Sequence, residues 1–268
     1  MSPQPISEVI RQIHFGYLEA SMTLASFMER MQISISDQHK LHLDAIAKFT
    51  HPTPLGDEDV VELKKQGFSV FKISHRMQEL TIDALAHSAA KIITAFPQLL
   101  MKMGFIYLVA IFDAFLSDIF TSVFIHRPES LKSKKQLTYE QILDLQQSGN
   151  LISFLAHREI NELSYKSITD QANYYNSKFG IDLSSSGVAI GILAEIRARR
   201  NLLVHNNGVV NETYLRVIDQ TPYSVGETIE ITFEYWKESQ KHLDTVASFV
   251  WGSILDKFGE SYETPLAT

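Results

Sequence analysis

Apolar residues recur along most of the chain at steps of three, four and seven, the period of an amphipathic α-helix. The first predicted helix covers residues 6–31. Its apolar stripe is formed by Ile6, Ile10, Ile13, Tyr17 and Leu24. Ser36 and Asp37 predict the cap of a second helix that extends to Phe49. The two prolines within residues 51–56 then interrupt the pattern.

Between that break and Pro97, the pattern predicts a short helix over residues 57–66 and a longer one over residues 75–95. The intervening segment 68–73 fits either a short strand or the start of a helix. Proline is tolerated in the first turn of a helix, so Pro97 predicts that a new helix starts there and continues to His126.

The helix predicted over residues 98–126 is apolar nearly all round, which favours a central position in the core. Its longest apolar run, from Met103 to Phe112, ends at Asp113. A membrane span needs about 20 apolar residues, and a longer window would place Asp113 near the bilayer centre at high cost. We therefore interpret this segment as a buried bundle helix and expect no membrane partner.

The remaining pattern is helical with one exception. Helices are predicted over residues 137–147, 151–165, 169–179, 188–205 and 234–258. The exception is Thr228–Phe233, where apolar and polar residues alternate as in a strand that could pair with Tyr214–Ile218. The fold prediction is therefore all-α, with one small β-hairpin before the last helix.

Composition limits the chemistry that the chain can perform. The 268 residues include no cysteine, which excludes a disulfide framework, a thiolate zinc site and a cysteine nucleophile. The N-terminus has no secretory pattern, so we expect a cytoplasmic protein. A net charge of −7 means that a polyanion can be bound only at a local cationic site. The candidates are Arg197/Arg199/Arg200 and a loop cluster, Lys132/Lys134/Lys135, which is typical of a solvated turn.

The end of the helix predicted over residues 188–205 carries the candidate chemistry. The spacing of Arg200 and His205 is uninformative by itself, because chance expects such a pair in a chain with 10 histidines. Their context is more specific, since the dipole at a helix C-terminus favours cations, Asn201 follows Arg200, and Asp113 is a lone acid on the apolar helix. A buried Asp113 needs a partner, and Arg197 or Arg200 is expected to supply it.

The segment Arg200-Asn-Leu-Leu-Val-His205 resembles the motif of the HEPN superfamily (higher eukaryote and prokaryote nucleotide-binding domains), and the segment 107–120 looks like the first helix of its bundle. The resemblance covers residues 97–258. It implies a HEPN-like four-helix bundle in a domain of residues 96–262. Residues 1–95 lie outside the resemblance, and their helical periodicity predicts a helical N-terminal extension. Residues 263–268 are predicted to be a tail.

The resemblance also implies a metal-independent endoribonuclease without a cofactor, of the toxin or abortive-infection (anti-phage defence) type. His205 would act as general base or acid, and Arg200 would hold the phosphate. Asn201, Arg197 and Asp113 would position the substrate. The products would be a 2′,3′-cyclic phosphate and a 5′-OH end. The implied partners are RNA, a second copy of the chain and an antitoxin or other defence protein.

Two alternatives stay open at this point. The chain could be a catalytically inactive HEPN-type scaffold that binds a nucleotide or a partner protein, and Asp113 could satisfy a core charge instead of orienting a catalytic arginine.

Arg200 and His205 lie about 140° apart on an ideal helix, which favours a homodimer that combines them across a two-fold axis. Like charges at that interface would weaken the dimer at low ionic strength, unless Asp113 or Glu195 neutralises them.

Overall fold

The computed structural model describes residues 5–49, 65, 78–133, 135–148, 151–218 and 221–259. Side chains are described at all of these except residues 35–49, 78–95, 143, 144 and 146–148. Within these ranges the fold is helical, as predicted. Its α-helices are α1 (Ile6–Phe49), α2 (Gln78–His126), α3 (Tyr139–Ser148), α4 (Leu151–Ser164), α5 (Ile168–Phe179), α6 (Ile190–Asn206), α7 (Glu212–Val217) and α8 (Phe233–Phe258). Two 3₁₀ turns cover Pro128–Leu131 and Leu183–Ser186.

Two predicted helix boundaries are wrong. Helix α1 continues through Ser36, where a new helix was expected, and α2 continues through Pro97. A capping residue starts a helix only where the residues before it are not helical. Residues 32–35 are helical, so Ser36 lies inside α1 and caps no new helix. An interior proline costs about 3 kcal/mol, which the helix-forming residues on both sides of Pro97 offset. The predicted break at residues 51–56, the predictions for residues 57–64, 66 and 68–73, and the first residues of the helix predicted over 75–95, residues 75–77, lie outside the described residues.

The chain divides into two compact units, one formed by residues 1–26 and 101–268 and the other by residues 27–100. The predicted domain boundary lies near the second division, but the first part of α1 belongs with the C-terminal unit. Tyr17 and Ser21 of α1 donate hydrogen bonds to Asp244 of α8, at 2.7 and 2.9 Å. His14 stacks on Trp251, with ring centroids 4.4 Å apart. These contacts make residues 6–26 a part of the bundle core.

The C-terminal half of α2 is the central helix of this unit, as its apolar sequence predicts. Phe120 stacks on Tyr175 of α5 at 3.8 Å between ring centroids, and Phe105 contacts Tyr235 of α8 at 5.7 Å. In the described part of the chain, Phe96–His126 is the one helix with the length and apolar composition of a membrane span. A buried core helix has the same properties, and the contacts of residues 101–126 are those of such a helix.

The predicted β-hairpin is wrong in its partner segment. Residues 212–217 form helix α7, because the Asn211 side chain accepts a hydrogen bond from the Tyr214 N–H at 2.9 Å and so starts a helix. The extended segment around Ile229 pairs instead with residues 208–210, through one antiparallel bridge between Val209 and Thr228. No strand occurs among the residues that the structure describes.

Candidate functional site

Helix α6 carries the predicted site residues, and its ends and apolar face determine how they are presented. Four apolar residues bury one side of the helix: Leu193, Ile196, Leu202 and Leu203. The helix ends where Asn207 and Gly208 take φ angles of 50° and 82°, in the left-handed region. The Gly208 N–H then donates to the Leu202 carbonyl at 2.9 Å, which closes the last turn. As predicted, the Asn-Asn-Gly sequence ends this helix.

An open cleft of about 830 Å³ lies along the opposite side of α6. Its walls come from α2, from α4 and α5 with the turn between them, from α6 and from Val217 of α7. All of the residues that the sequence singled out for the site line this one cleft: Asp113, Arg197, Arg200, Asn201 and His205. The structure therefore brings the predicted residues together, while their chemical roles stay predictions.

Asp113 of the cleft is paired, and its hydrogen-bonded partner, Arg197, is one of the two arginines expected from the sequence. Its Oδ1 accepts hydrogen bonds from Nε of Arg197, at 3.1 Å, and from Nη2 of the same guanidinium. Its Oδ2 lies 3.8 Å from Nη2 of Arg200, an ion pair that is too long for a hydrogen bond. One carboxylate thus neutralises one of two guanidinium groups and leaves the other available to an anion.

Arg200 has incomplete hydrogen bonding. Its Nη1 donates to Oδ1 of Asn201 at 3.0 Å, whereas its Nε is buried without a hydrogen-bond partner. Its side chain is 30% exposed, so the end of the guanidinium reaches the cleft. A buried, unsatisfied N–H is costly, and an anionic ligand that drew the guanidinium forward could relieve this cost.

His205 lies exposed at the rim of the cleft, one turn after Asn201. Arg197, Asn201 and His205 follow each other at steps of four, which places them along one stripe of the helix. Arg200 is about 60° to the side of Arg197 on an ideal helix, and its long side chain reaches the same cleft. Arg200 and His205 therefore line the same cleft of one chain in spite of their angular separation.

Arg199 differs from its two arginine neighbours, because it points away from the cleft and into the core. Its guanidinium pairs with Glu195 at 2.8 Å and lies 4.1 Å from the ring centroid of Tyr235. The expectation that three arginines form one cationic surface is therefore wrong. Arg199 is buried and does not line the cleft.

Sequence reasoning missed the cleft wall formed by the turn between α4 and α5. Tyr165 and Lys166 line this wall, and both are exposed. Their only sequence signal is an aromatic residue next to a lysine at a helix end, which does not connect them to α6. Among the described lining residues Asp113 is the one acid, beside three Lys or Arg residues, so the cleft is locally positive on a chain of net charge −7.

In the second basic cluster, Lys135 is already paired with acidic side chains. Lys135 pairs with Glu159 at 2.5 Å and with Glu162 at 2.7 Å. The position of Lys134 lies outside the described residues. The part of the chain that the structure describes contains no group of three or more histidine, aspartate or glutamate side chains that could hold a metal ion.

Comparison of this chain with family models, with curated proteins and with solved structures finds no match.

Proposed function

We propose that this chain is a metal-independent endoribonuclease and that the cleft along α6 is its active site. The observation that carries the proposal is the position of Arg200, Asn201 and His205 in one open, locally positive cleft of a single chain. An anionic backbone is attracted to such a cleft and repelled by the acidic surface elsewhere. The segment that resembles the HEPN motif contains the same three side chains.

In this mechanism the nucleophile comes from the substrate. His205 takes the proton of a ribose 2′-OH, the 2′-oxygen forms a bond to phosphorus, and the bond from phosphorus to the 5′-oxygen breaks. The 5′-oxygen takes up a proton from solvent, to which the cleft is open. The products are a 2′,3′-cyclic phosphate and a 5′-OH end, so that the reaction needs no metal ion.

Arg200 would stabilise the additional negative charge on the phosphate oxygens in the transition state. Asp113 and Arg197 act as positioning residues in this proposal, because Arg197 holds the carboxylate of Asp113 and that carboxylate lies 3.8 Å from the guanidinium of Arg200. Asn201 holds Nη1 of the same guanidinium and can orient the phosphate.

The deciding experiment is an RNA cleavage assay in EDTA, followed by analysis of the new ends. The wild type should produce cyclic phosphate ends. His205→Ala should lower the rate roughly 10²- to 10⁴-fold, and Arg200→Ala about 10²- to 10³-fold, as expected for a lost general base and a lost charge stabiliser. The matched controls are His157→Ala and Arg11→Ala, which remove exposed side chains outside the cleft.

Cleavage that persists in both site variants would refute the proposal. RNA binding by the wild type without any cleavage would favour the alternative, an inactive scaffold that binds a nucleotide or another protein.

The toxin or abortive-infection role belongs to the same proposal. Expression of the wild type should arrest the growth of a bacterial host, and expression of His205→Ala should not.

A further inference from the structure

Tyr165 is an unusual residue of the cleft wall. Its side chain is 85% exposed although it carries a large aromatic ring, and it lines the same cleft as Arg200 and His205. A ring that packs against the protein contributes to folding through its buried area, and this ring buries little. An exposed aromatic face beside cationic groups is the arrangement by which proteins stack single-stranded nucleic acid.

The backbone that carries Tyr165 is held in place. Gln171 of α5 is almost completely buried, and its Nε2 donates to the carbonyl oxygens of Leu163 and Lys166, at 3.1 Å each. The Lys166 N–H donates to the Leu163 carbonyl at 3.0 Å. These bonds bracket Tyr165 on both sides, so the ring is presented from an ordered turn and binding does not have to order the backbone.

Lys166 follows Tyr165 in the same turn and also lines the cleft. A lysine can neutralise one phosphate of a bound strand, a contact that depends on salt and not on whether the strand is paired. The ring of Tyr165 has a different requirement. Bases inside a duplex are covered by their neighbours, and only an unpaired base can present its face to a protein ring.

We infer that Tyr165 stacks on an unpaired base next to the phosphate bound by Arg200, and that the cleft thereby selects single-stranded RNA. The inference rests on the proposed function for the identity of the substrate. Tyr165 is a specificity residue here and takes no part in bond breaking, so its removal should weaken binding of single strands more than it changes the chemical step.

The test measures binding to the wild-type chain of a short 2′-O-methyl RNA, which lacks the nucleophile and cannot be cleaved. Tyr165→Ala should weaken binding of the single strand roughly 5- to 150-fold, the range for loss of one stacked base, and should leave binding of the same sequence as a duplex unchanged. Tyr165→Phe should restore single-strand binding, because it keeps the ring. Tyr139→Ala is the matched control, since Tyr139 is 89% exposed and lies outside the cleft.

Lys166→Ala provides a second readout. It should weaken binding of single strand and duplex alike and lower the slope of log affinity against log salt by about one. Equal losses for single strand and duplex in Tyr165→Ala would overturn the inference. Unchanged single-strand binding in that variant, or no binding by the wild type, would also overturn it.

These outcomes separate the inference from the proposed function. If the wild type binds single strands through Tyr165 but cuts no RNA in EDTA, the stacking role stands and the ribonuclease proposal fails. If the wild type cuts RNA and Tyr165→Ala binds and cuts as the wild type does, the ribonuclease proposal stands and the stacking role fails.

Discussion

Arginine side chains at neighbouring positions of α6 lie in different environments, because a helix turns by about 100° per residue. Arg197 and Arg200 reach the cleft and share Asp113, whereas Arg199 turns inward to Glu195 and the ring of Tyr235. A guanidinium suits the inward position because it can form an ion pair and stack on an aromatic ring at the same time. The difference in environment predicts a difference in the effect of mutation.

Arg199→Ala should lower stability without affecting the chemistry of the cleft. It leaves Glu195 unpaired and removes the contact with Tyr235, so we expect a loss of about 2 to 3 kcal/mol in the free energy of unfolding, less than for a fully buried pair because Glu195 is partly exposed. Urea denaturation measures this loss, and Arg11→Ala, an exposed change on α1, is the control. A stable variant, or a folded one that has lost RNA cleavage, would contradict this assignment.

At the scale of the element, the end of α6 depends on a residue that can adopt a positive φ. Gly208 has φ 82°, and a Cβ built there would lie 3.3 Å from Cδ2 of Leu203. Gly208→Ala should therefore cost about 1 to 2 kcal/mol through backbone strain alone. Because Gly208 closes the last turn that carries His205, cleavage should fall as well.

The control for this prediction is Gly252→Ala in the middle of α8. Apart from the adjoining residues and the backbone of α8 itself, no atom lies within 4 Å of a Cβ at that position, and no positive φ occurs there. That change should raise stability by about 0.5 to 1 kcal/mol, since alanine is the better helix former. Thermal unfolding of both variants gives the comparison, and a Gly208→Ala protein as stable as the wild type would refute the strained cap.

Helix α4, which forms part of the cleft wall, is attached to the loop before α3 by a group of charges. Burial opposes the charge of Glu159, but hydrogen bonds from Lys135 and Tyr174 outweigh it and hold the pKa of Glu159 below its usual range. The hydrogen bond from Lys135 likewise lowers the pKa of Glu162. The carboxyl groups of Glu159 and Glu162 bind protons more readily in the unfolded chain than in the folded chain. The stability that they contribute is therefore complete above their pKa in the unfolded chain and is lost as the pH falls through their pKa in the folded chain.

Lys135→Met should therefore be less stable than the wild type at pH 7, and the difference should shrink as the pH falls below about 5. Both groups are partly exposed, so the difference at pH 7 is expected to be modest. Denaturant unfolding at a series of pH values measures it. Lys241→Met, an exposed change on α8, serves as control. A difference that stays constant down to pH 3 would show that Lys135 acts through packing and not through these carboxylates.

At the scale of the whole molecule, the structure changes the reason for expecting a dimer. Arg200 and His205 line one cleft of a single chain, so a single-chain site becomes an alternative to the composite site. Asp113 and Glu195 neutralise Arg197 and Arg199, which reduces the expected repulsion between two copies at low ionic strength to that of Arg200 and Lys166. The homodimer itself stays a prediction, and light scattering across a salt series tests it.

Mixing two inactive variants tells a single-chain site from a composite one. If each chain carries a complete site, an equimolar mixture of Arg200→Ala and His205→Ala proteins should be as inactive as either alone. If the site combines Arg200 of one chain with His205 of another, mixed dimers would contain one intact site and the mixture would regain RNA cleavage. The assay is initial-rate cleavage after co-refolding, with co-refolded wild type as the reference.

Much of the fold follows from local sequence patterns. Periodicity predicted α4, α5, α6 and α8 to within a few residues, because each buries one apolar stripe whose spacing is visible in the chain. The helix starts predicted at Ser36 and Pro97 were wrong, because a capping residue or a proline permits a helix to start at its position but does not require it. The hairpin was wrong because Asn211 starts a helix where alternation nearby suggested a strand.

For the candidate site, the sequence by itself determined that Arg200, Asn201 and His205 are neighbours at a helix end and that Asp113 must find a cationic partner. Helix geometry and the apolar sequence around Asp113 are local facts that need no knowledge of the fold, although the structure leaves the Asp113 side chain 30% exposed where burial was expected. Only the tertiary structure decided which arginine faces the core, that Tyr165 and Lys166 stand beside α6, and that residues 6–26 belong to the same unit. These depend on contacts between segments far apart in the chain, which no periodicity within one segment records.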